Sequence, residues 1–315
     1  ATSDAVRLEG VSGRLISGFS IERVQLALPA VRGEARALNV QWDAAALLDE
    51  RVRIMQLALG DLILSFPPGE ESSTPPSRPA PLTLPVAIEL DQLGIERFTL
   101  LPWQAGADSQ SPAVDGEGAL FSFSHLHAAL HSDGRHHQLR QVRVSLPFGD
   151  VQADGSIDSS TDDYPLTLAL DLQGAVEGRS FDLELRAEGS LQRLAAELDA
   201  RGEGLTGRAR ALLTPFEPVP LAELQLSLGP VNPAAFAPQA PQAALMLEAQ
   251  LAGMAVEGGA MGLAGSVGIR NAAPQPVDAG GVPLVQLDTL LDWRGDRLGL
   301  RELDLREPNL LASGF

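Results

Sequence analysis

The sequence predicts an all-β protein built mainly from antiparallel strands. Residues 181–189 run Phe-Asp-Leu-Glu-Leu-Arg-Ala-Glu-Gly, in which apolar and charged residues alternate, and similar segments occupy 164–172 and 284–293. Because successive strand side chains point to opposite faces, each segment has one apolar and one polar face. No second layer that would cover the apolar face is visible in the sequence. What lies against that face is therefore the functional question.

Composition narrows the class of protein. The chain has 315 residues, 44% of them hydrophobic but only 4% aromatic, which favours a smooth apolar surface of Leu, Val and Ala. A net charge of −18 argues against nucleic acid as a partner and against docking on an anionic bilayer. The absence of cysteine excludes disulfides, thiolate metal sites and thiol nucleophiles.

No run of 18 or more apolar residues is present, so the sequence predicts no membrane-spanning helix. Both ends of the chain lie close to strand patterns. We therefore expect it to be a segment of a longer protein.

Three regions follow from the pattern along the chain. Residues 1–66 are predicted to contain N-terminal strands and a short helix near 43–50, with Asp43 as its N-cap. Residues 67–85 contain seven prolines and predict an exposed, extended loop. Residues 86–315 predict a repetitive β body that continues beyond the last residue.

Breaks in alternation divide the patterned segments into short strands. We predict separate strands at 52–59 and 62–66, and again at 86–90 and 95–101. Counted in this way, the chain contains about 18 to 20 strands. The segment 230–238 is compatible with one helical turn.

All five histidines lie within 13 residues. If 121–131 is a strand, His125, His127 and His131 share a face with Phe121 and Phe123. His125 and His127 are close enough to bind one metal ion together, whereas His131 lies too far along the strand. No carboxylate is fixed nearby by spacing. A solvated cluster is therefore the favoured interpretation, with His125 and His127 as weak metal candidates.

Two other clusters resemble binding sites only superficially. The aspartates near 154–163 lack the spacing and closing Glu of a calcium loop. The glycine-rich segment 258–265 matches neither a dinucleotide fingerprint nor a P-loop, so we predict a turn or bulge there. No nucleophile elbow or other catalytic constellation is present, and we expect neither an enzyme nor a cofactor.

Several segments resemble the TamB family of translocation and assembly module subunits, within the wider AsmA-like group. Residues 6–19, Val-Arg-Leu-Glu-Gly-Val-Ser-Gly-Arg-Leu-Ile-Ser-Gly-Phe, look like the start of the family's periplasmic region. The Leu-Asn-Val-Gln-Trp-Asp of 38–43, the Leu-Leu helix and the strand from Val52 are similar to it in order. The Asn-Pro-Ala-Ala-Phe-Ala-Pro of 232–238 is also similar. These motifs are loose.

The resemblance implies a long sheet curled into an open hydrophobic trough, the β-taco, in a periplasmic protein that conducts phospholipids between the two membranes. It also implies an inner-membrane anchor and an outer-membrane barrel partner of the TamA type, through parts that this chain does not match. The partners expected for this segment are phospholipid acyl chains. The residues predicted to line the groove are Leu166, Leu168, Leu170, Phe181, Leu183, Leu185, Leu224, Leu226, Leu228, Leu245, Leu247, Leu287, Leu291, Leu298 and Leu300.

Two alternatives remain open. The chain could be a scaffold that assembles or inserts outer-membrane β-barrel proteins by strand-edge pairing. It could also be a closed sandwich or β-helix whose apolar faces pack on each other.

Overall fold

The computed structural model describes residues 5–28, 30–67, 83–103, 118–176, 178–236, 240–256, 261–294 and 297–307. These residues form seventeen strands in a mostly antiparallel sheet that is not closed, which confirms the predicted fold class. The sequence predicted about 18 to 20 strands for the whole chain, and residues 308–315, where a further strand was expected, lie outside the described residues.

The strands of the first half are long. Their bounds are β1 Val6–Arg14, β2 Gly18–Leu28, β3 Val31–Asp43, β4 Arg51–Ser65, β5 Ala87–Leu101, β6 Phe121–Ser132, β7 His136–Leu146 and β8 Gly149–Asp158. The second half contains β9 Pro165–Val176, β10 Arg179–Ser190, β11 Leu194–Gly202, β12 Leu205–Leu213, β13 Leu221–Val231, β14 Leu245–Ala255, β15 Met261–Asn271, β16 Gln286–Arg294 and β17 Arg297–Arg306.

Helical structure is confined to short connections. The predicted helix near 43–50 is a 3₁₀ helix over Ala44–Asp49, and Asp43 Oδ1 accepts a hydrogen bond from Ala45 N at 3.0 Å, as an N-cap does. The segment 230–238, which the sequence suggested could form one helical turn, contains a single α-helical turn, α1, over Pro233–Phe236. A further 3₁₀ turn over Val277–Ala279 was not predicted.

The strands belong to two compact units. Unit 1 comprises Ala1–Thr74, Pro79–Tyr164 and Leu168–Leu172, and unit 2 comprises Pro75–Arg78, Pro165–Thr167 and Gln173–Phe315. Unit 1 thus contains β1 to β8, and unit 2 contains β10 to β17. Strand β9 contributes residues to both.

Unit 1 is an antiparallel meander with one exception, the parallel pair of β4 and β5. The sequence did not predict this parallel pair. A parallel neighbour requires the chain to return along the full length of the strand. Each of the two strands has 15 residues, or roughly 50 Å at about 3.3 Å per residue. Of the predicted proline-rich loop at 67–85, residues 68–82 lie outside the described residues.

Six aligned positions interrupt the alternation in unit 1. The pairings place one residue from each of β1 to β6 in a transverse row: Gly10, Glu22, Ala37, Gly60, Glu96 and His125. Within this row Gly10, Ala37 and His125 have φ angles of 67°, 52° and 52°, in the left-handed region. Such a residue reverses the sense of alternation in a strand.

This reversal keeps apolar residues of unit 1 on one face although their sequence spacing changes. On one side of the transverse row the register aligns Phe19, Val40, Leu57, Leu93 and Ala128. On the other side it aligns Val24, Ala35, Leu62, Phe98 and Phe123. The predicted break between residues 59 and 62 therefore lies at this row, inside the continuous β4. The predicted break between residues 90 and 95 lies inside the continuous β5, at the register shift between Leu90 and Leu93.

Little of the chain is deeply buried. Among the described residues the buried apolar side chains are Ile21, Ala46, Ile63, Leu90, Ile95, Ala128, Tyr164, Ala187, Ala243 and Ala249. Most of them are small or lie singly along a strand. The strand ladders and cross-strand pairs, more than a sealed core, therefore hold the units together.

Substitutions at Ala37 test whether the transverse row requires a left-handed backbone conformation. A β-branched side chain is strongly disfavoured at a φ of 52°, so we expect Ala37→Val to lower the free energy of unfolding by about 1–3 kcal/mol. The matched variant Ala37→Gly should change it by less than about 1 kcal/mol. Urea denaturation followed by circular dichroism measures both. Equal effects of the two variants would show that the left-handed conformation is not required.

Candidate functional site

The candidate functional site is the apolar face of unit 2. Because every pairing from β10 to β17 is antiparallel, side chains opposite one another share a face. The first row across these strands contains Leu183, Ala200, Gly207, Leu228, Leu247, Ile269, Leu287 and Leu305. The second contains Leu185, Leu198, Ala209, Leu226, Ala249, Val267 and Thr289. The third contains Ala187, Ala196, Ala211, Leu224, Leu251, Gly265, Leu291 and Leu300.

These rows form a continuous surface that is nearly free of polar side chains. Thr289 is an exception, and its Oγ1 donates a hydrogen bond to Arg301 O at 2.9 Å, which satisfies the hydroxyl locally. Most of the large side chains, such as Leu226 and Leu247, are half-buried. A face packed inside a sandwich would be buried, and the sheet is not closed. The structure therefore argues against the closed-sandwich alternative.

Twelve of the fifteen predicted lining residues lie on strands β10 to β17. Phe181 and Leu245 extend the aligned rows at their ends, opposite Gly202 and Asn271. Leu298 and Leu300 lie on β17 and are exposed. Thus the predicted residues of β10, β13, β14, β16 and β17 share one face.

The other three predicted residues lie on β9. Leu166, Leu168 and Leu170 are half-buried and alternate with exposed residues, as a strand with one apolar face requires. Leu166 belongs to unit 2, whereas Leu168 and Leu170 belong to unit 1.

Several members of the apolar face of unit 2 were not predicted from the sequence. Trp293 lies opposite Leu263 on β15 and Leu298 on β17. Leu198 occupies the centre of β11, and Ile269 lies near the end of β15, opposite Leu247. The alternation of 194–200 would have identified Leu198, whereas the glycines of β15 obscured its strand pattern.

The opposite face of unit 2 is polar and cross-linked by ion pairs. Arg208 Nε lies 2.8 Å from Asp199 Oδ1, and Arg210 Nε lies 3.1 Å from Glu197 Oε1. Both pairs join residues directly opposite each other on β11 and β12. Exposed pairs of this kind contribute little stability each, but they favour one register over its neighbours.

Asp292 forms a second charged group on this polar face. Its carboxylate contacts Arg294 Nε at 2.7 Å and Arg301 Nη2 at 3.0 Å. The hydrogen bond from Arg294, with the positive charges of both guanidinium groups, lowers the pKa of Asp292. The carboxylate therefore stays ionised and the polar face stays charged.

A shallow depression of about 560 Å³ also lies on the polar side of unit 2. Charged and amide side chains, among them Arg208, Gln225, Glu248 and Asp288, line it. Its chemistry is unsuited to an acyl chain, so it does not belong to the apolar face.

Unit 1 carries its own apolar face, which ends in an aromatic cluster. Phe98 and Phe123 stack with ring centroids 4.7 Å apart, and the Phe121 ring lies 6.1 Å from that of Phe123. Sequence alone did not assign these rings to the lining. The alternation of side chains reverses within each of their strands at the transverse row. A regular period of two therefore does not place the three phenylalanines on the same face as the apolar residues beyond the row.

The predicted arrangement of the histidines is wrong in part. Residues 121–131 do lie in a strand, β6, but His125 has a left-handed φ and reverses the alternation. Phe123 therefore shares a face with Leu126 and Ala128, while His127 projects from the opposite side. Within the described ranges, no three His, Asp or Glu side chains are grouped to hold a metal ion. His125 instead lies 3.9 Å from Glu96 Oε2.

The remaining candidate motifs have structural roles. Asp154 Oδ1 accepts a hydrogen bond from Gln141 N at 2.8 Å, and Asp158 Oδ1 accepts one from Ser160 N at 2.8 Å. Met261 to Gly265 of the glycine-rich segment belong to β15, so the predicted turn is wrong there. Residues 257–260 lie outside the described residues.

No protein-family model, curated protein or solved structure matches this chain. Among its described helices, none is long and apolar enough to cross a membrane.

His136 gives unit 1 a testable pH dependence. Its Nδ1 lies 2.9 Å from Asp133 Oδ2 and its Nε2 lies 3.2 Å from Asp158 Oδ2. The hydrogen bond with Asp133, followed by the charge of Asp158, raises the pKa of His136 above its ordinary 6.5. A raised pKa means that the stabilisation is complete below pH 6.5 and is lost as the pH rises through the raised value.

We therefore expect His136→Gln to lower the Tm more at pH 5.5 than at pH 9, measured by differential scanning calorimetry. His131→Gln, which removes another exposed imidazole, is the control. An equal loss for His136→Gln at both pH values would exclude the ion pairs as its cause.

Proposed function

We propose that this chain is a periplasmic segment of a bridge that carries phospholipids between membranes along an open apolar face. The observation that carries the proposal is the apolar face of unit 2, with its three aligned rows of half-exposed aliphatic side chains. The resemblance to the TamB family supports the same function. An inner-membrane anchor and a barrel partner of the TamA type, in parts that this chain does not match, remain predictions from that resemblance.

The physical basis is the cost of exposing an acyl chain to water. Each methylene transferred into water costs about 0.8 kcal/mol, so an unassisted aqueous crossing is prohibitive for an ordinary chain. Apolar side chains recur at every strand, about 4.8 Å apart across the sheet. An acyl chain that moves along a row therefore exchanges one aliphatic contact for a similar one.

Open geometry suits the headgroup as well. The face is not closed over, so a polar headgroup can stay in water while the acyl chains contact Leu and Val side chains. On β11 and β12 the face consists partly of Ala and Gly, including Ala200, Gly207 and Ala209, whose small side chains project little above the sheet. Small and aliphatic residues provide contact without a deep binding pocket, which favours movement over tight retention.

The scaffold alternative requires strand edges that accept a further strand. In unit 1, β1 is exposed along its whole length, but Gly10 and Gly13 have positive φ angles there. In unit 2, β17 carries Arg297, Arg301 and Asp304. Irregular backbone and charge both discourage added strands. The edges therefore favour lipid conduction, and the scaffold remains the second candidate.

Trp293 reports directly on occupancy of the apolar face. A chain with Trp42→Phe and Trp103→Phe retains this one indole. We expect phosphatidylcholine brominated on its acyl chains to quench the Trp293 fluorescence. The control has Trp293→Phe and Leu290→Trp in the same background, because residue 290 lies on the opposite face, beside Ser266. Equal quenching at both positions, or none at 293, would contradict the proposal.

A charge on the apolar face should block passage. Leu226 and Gln225 are consecutive on β13 and point to opposite faces. We expect Leu226→Arg to lower the rate of lipid transfer between donor and acceptor vesicles by at least about tenfold, since the guanidinium interrupts the apolar row. Gln225→Arg should transfer lipid normally. Circular dichroism checks that both remain folded, and normal transfer by folded Leu226→Arg would contradict the proposal.

A further inference from the structure

Four exposed aliphatic side chains lie on two turns at one end of the strands of unit 1. Leu15 and Ile16, in the turn from β1 to β2, are 73% and 72% exposed. Leu47 and Leu48, in the 3₁₀ helix from β3 to β4, are 48% and 88% exposed. We call these four residues the aliphatic tip. Such exposure has no role in the stability of the unit, and clustered apolar exposure marks interaction surfaces.

Hydrogen bonds hold the turn from β1 to β2 against the end of β3, directly before the 3₁₀ helix. Trp42 Nε1 donates to Leu15 O, and Trp42 N donates to Ser17 O at 3.4 Å. The pairing of Gly18 with Gln41 places the turns on neighbouring strands. The four aliphatic residues therefore form one local surface.

The 3₁₀ helix presents its leucines in a fixed direction. Asp43 caps its first turn, and Glu50 N–H, with φ of 56°, closes its end on Ala46 O and Leu47 O. Ala46 is only 4% exposed and packs inward. With Ala46 anchored, Leu47 and Leu48 are directed outward.

The aliphatic tip continues the apolar face of unit 1 beyond the ends of the strands. Trp42 pairs with Ile54, which pairs in turn with Leu90 on β5. A lipid that meets the tip therefore lies next to the apolar row of Trp42, Ile54 and Leu90.

The charges around the aliphatic tip indicate which class of partner it can bind. Asp43, Asp49 and Glu50 flank the tip, while Arg14 directly precedes Leu15. The Arg51 guanidinium is engaged with Asp49 at 3.3 Å and Glu89 at 3.3 Å, so the charge around the tip is predominantly acidic. The acidic surroundings give no attraction for an anionic surface. Projecting aliphatic turns also differ from the aromatic and Arg-rich centres of protein interfaces. A neutral, zwitterionic bilayer satisfies both constraints, because insertion of aliphatic side chains requires no opposite charge.

We propose that the aliphatic tip inserts into the interface of a zwitterionic bilayer and places the apolar face of unit 1 where lipid can enter it. This inference rests on the proposed lipid-carrying function. It adds the place and the physical means of contact with the membrane.

Flotation of the chain with phosphatidylcholine vesicles tests the inference. We expect the unaltered chain to float with the vesicles, and its binding to be the same at low and high salt. Ile16→Ser combined with Leu48→Ser should weaken binding roughly tenfold or more, because each loses buried aliphatic area. The matched control combines Leu120→Ser with Val277→Ser, since these residues are 67% and 72% exposed elsewhere in the chain. The control should bind normally.

Three results would overturn the inference. The first is that the unaltered chain does not bind the vesicles, and the second is that both double variants lose vesicle binding equally. The third is that the tip variant loses self-association in analytical ultracentrifugation, which would make a second copy of the chain the partner. Quenching of Trp293 by a brominated short-chain phosphatidylcholine, added below its micelle concentration to the chain with Trp42→Phe and Trp103→Phe, separates the two proposals. Retained quenching after the tip substitutions are added to this background leaves the lipid face intact, whereas its absence without them contradicts the proposed function itself.

Discussion

The whole arrangement depends on strand register. A slip of one residue would move every aliphatic side chain of a strand to the polar face, because side chains alternate with a period of two. In unit 2, the pairings of Leu226 with Ala209 and Ala249 fix this register on one face. On the other face, Arg208 with Asp199 and Arg210 with Glu197 fix it by charge. The two faces therefore specify the same alignment independently.

Unlike a protein with a sealed core, this chain keeps many of its aliphatic side chains partly exposed while its backbone hydrogen bonds stabilise the sheet. The backbone ladder satisfies the peptide groups within each unit, so the sheet does not require a second layer to satisfy them. Aliphatic side chains such as Leu247 gain contact with their lateral neighbours but stay half-exposed. The remaining apolar surface is available to a ligand, and a ligand that covers it would also stabilise the fold.

The transverse row explains how unit 1 keeps one apolar face on strands as long as 15 residues. A left-handed residue such as Ala37 or His125 reverses the alternation of side chains along its strand. Since the breaks are aligned from strand to strand, the face continues past them. The same device places His127 on the side away from Phe123, which removes the basis for a shared aromatic and histidine face.

Local patterns were enough to predict the all-β class, the Asp43 cap and the apolar positions of regular strands such as β10 and β13, because these follow from a period of two and from side-chain preferences at a helix start. The folded structure was needed to find the parallel pairing of β4 with β5, the continuity of both strands and the membership of Trp293 in the apolar face. Pairing partners and left-handed residues inside strands are set by contacts between distant segments. No local pattern records them, since a residue such as Ala37 adopts φ of 52° only when its neighbouring strands hold it there.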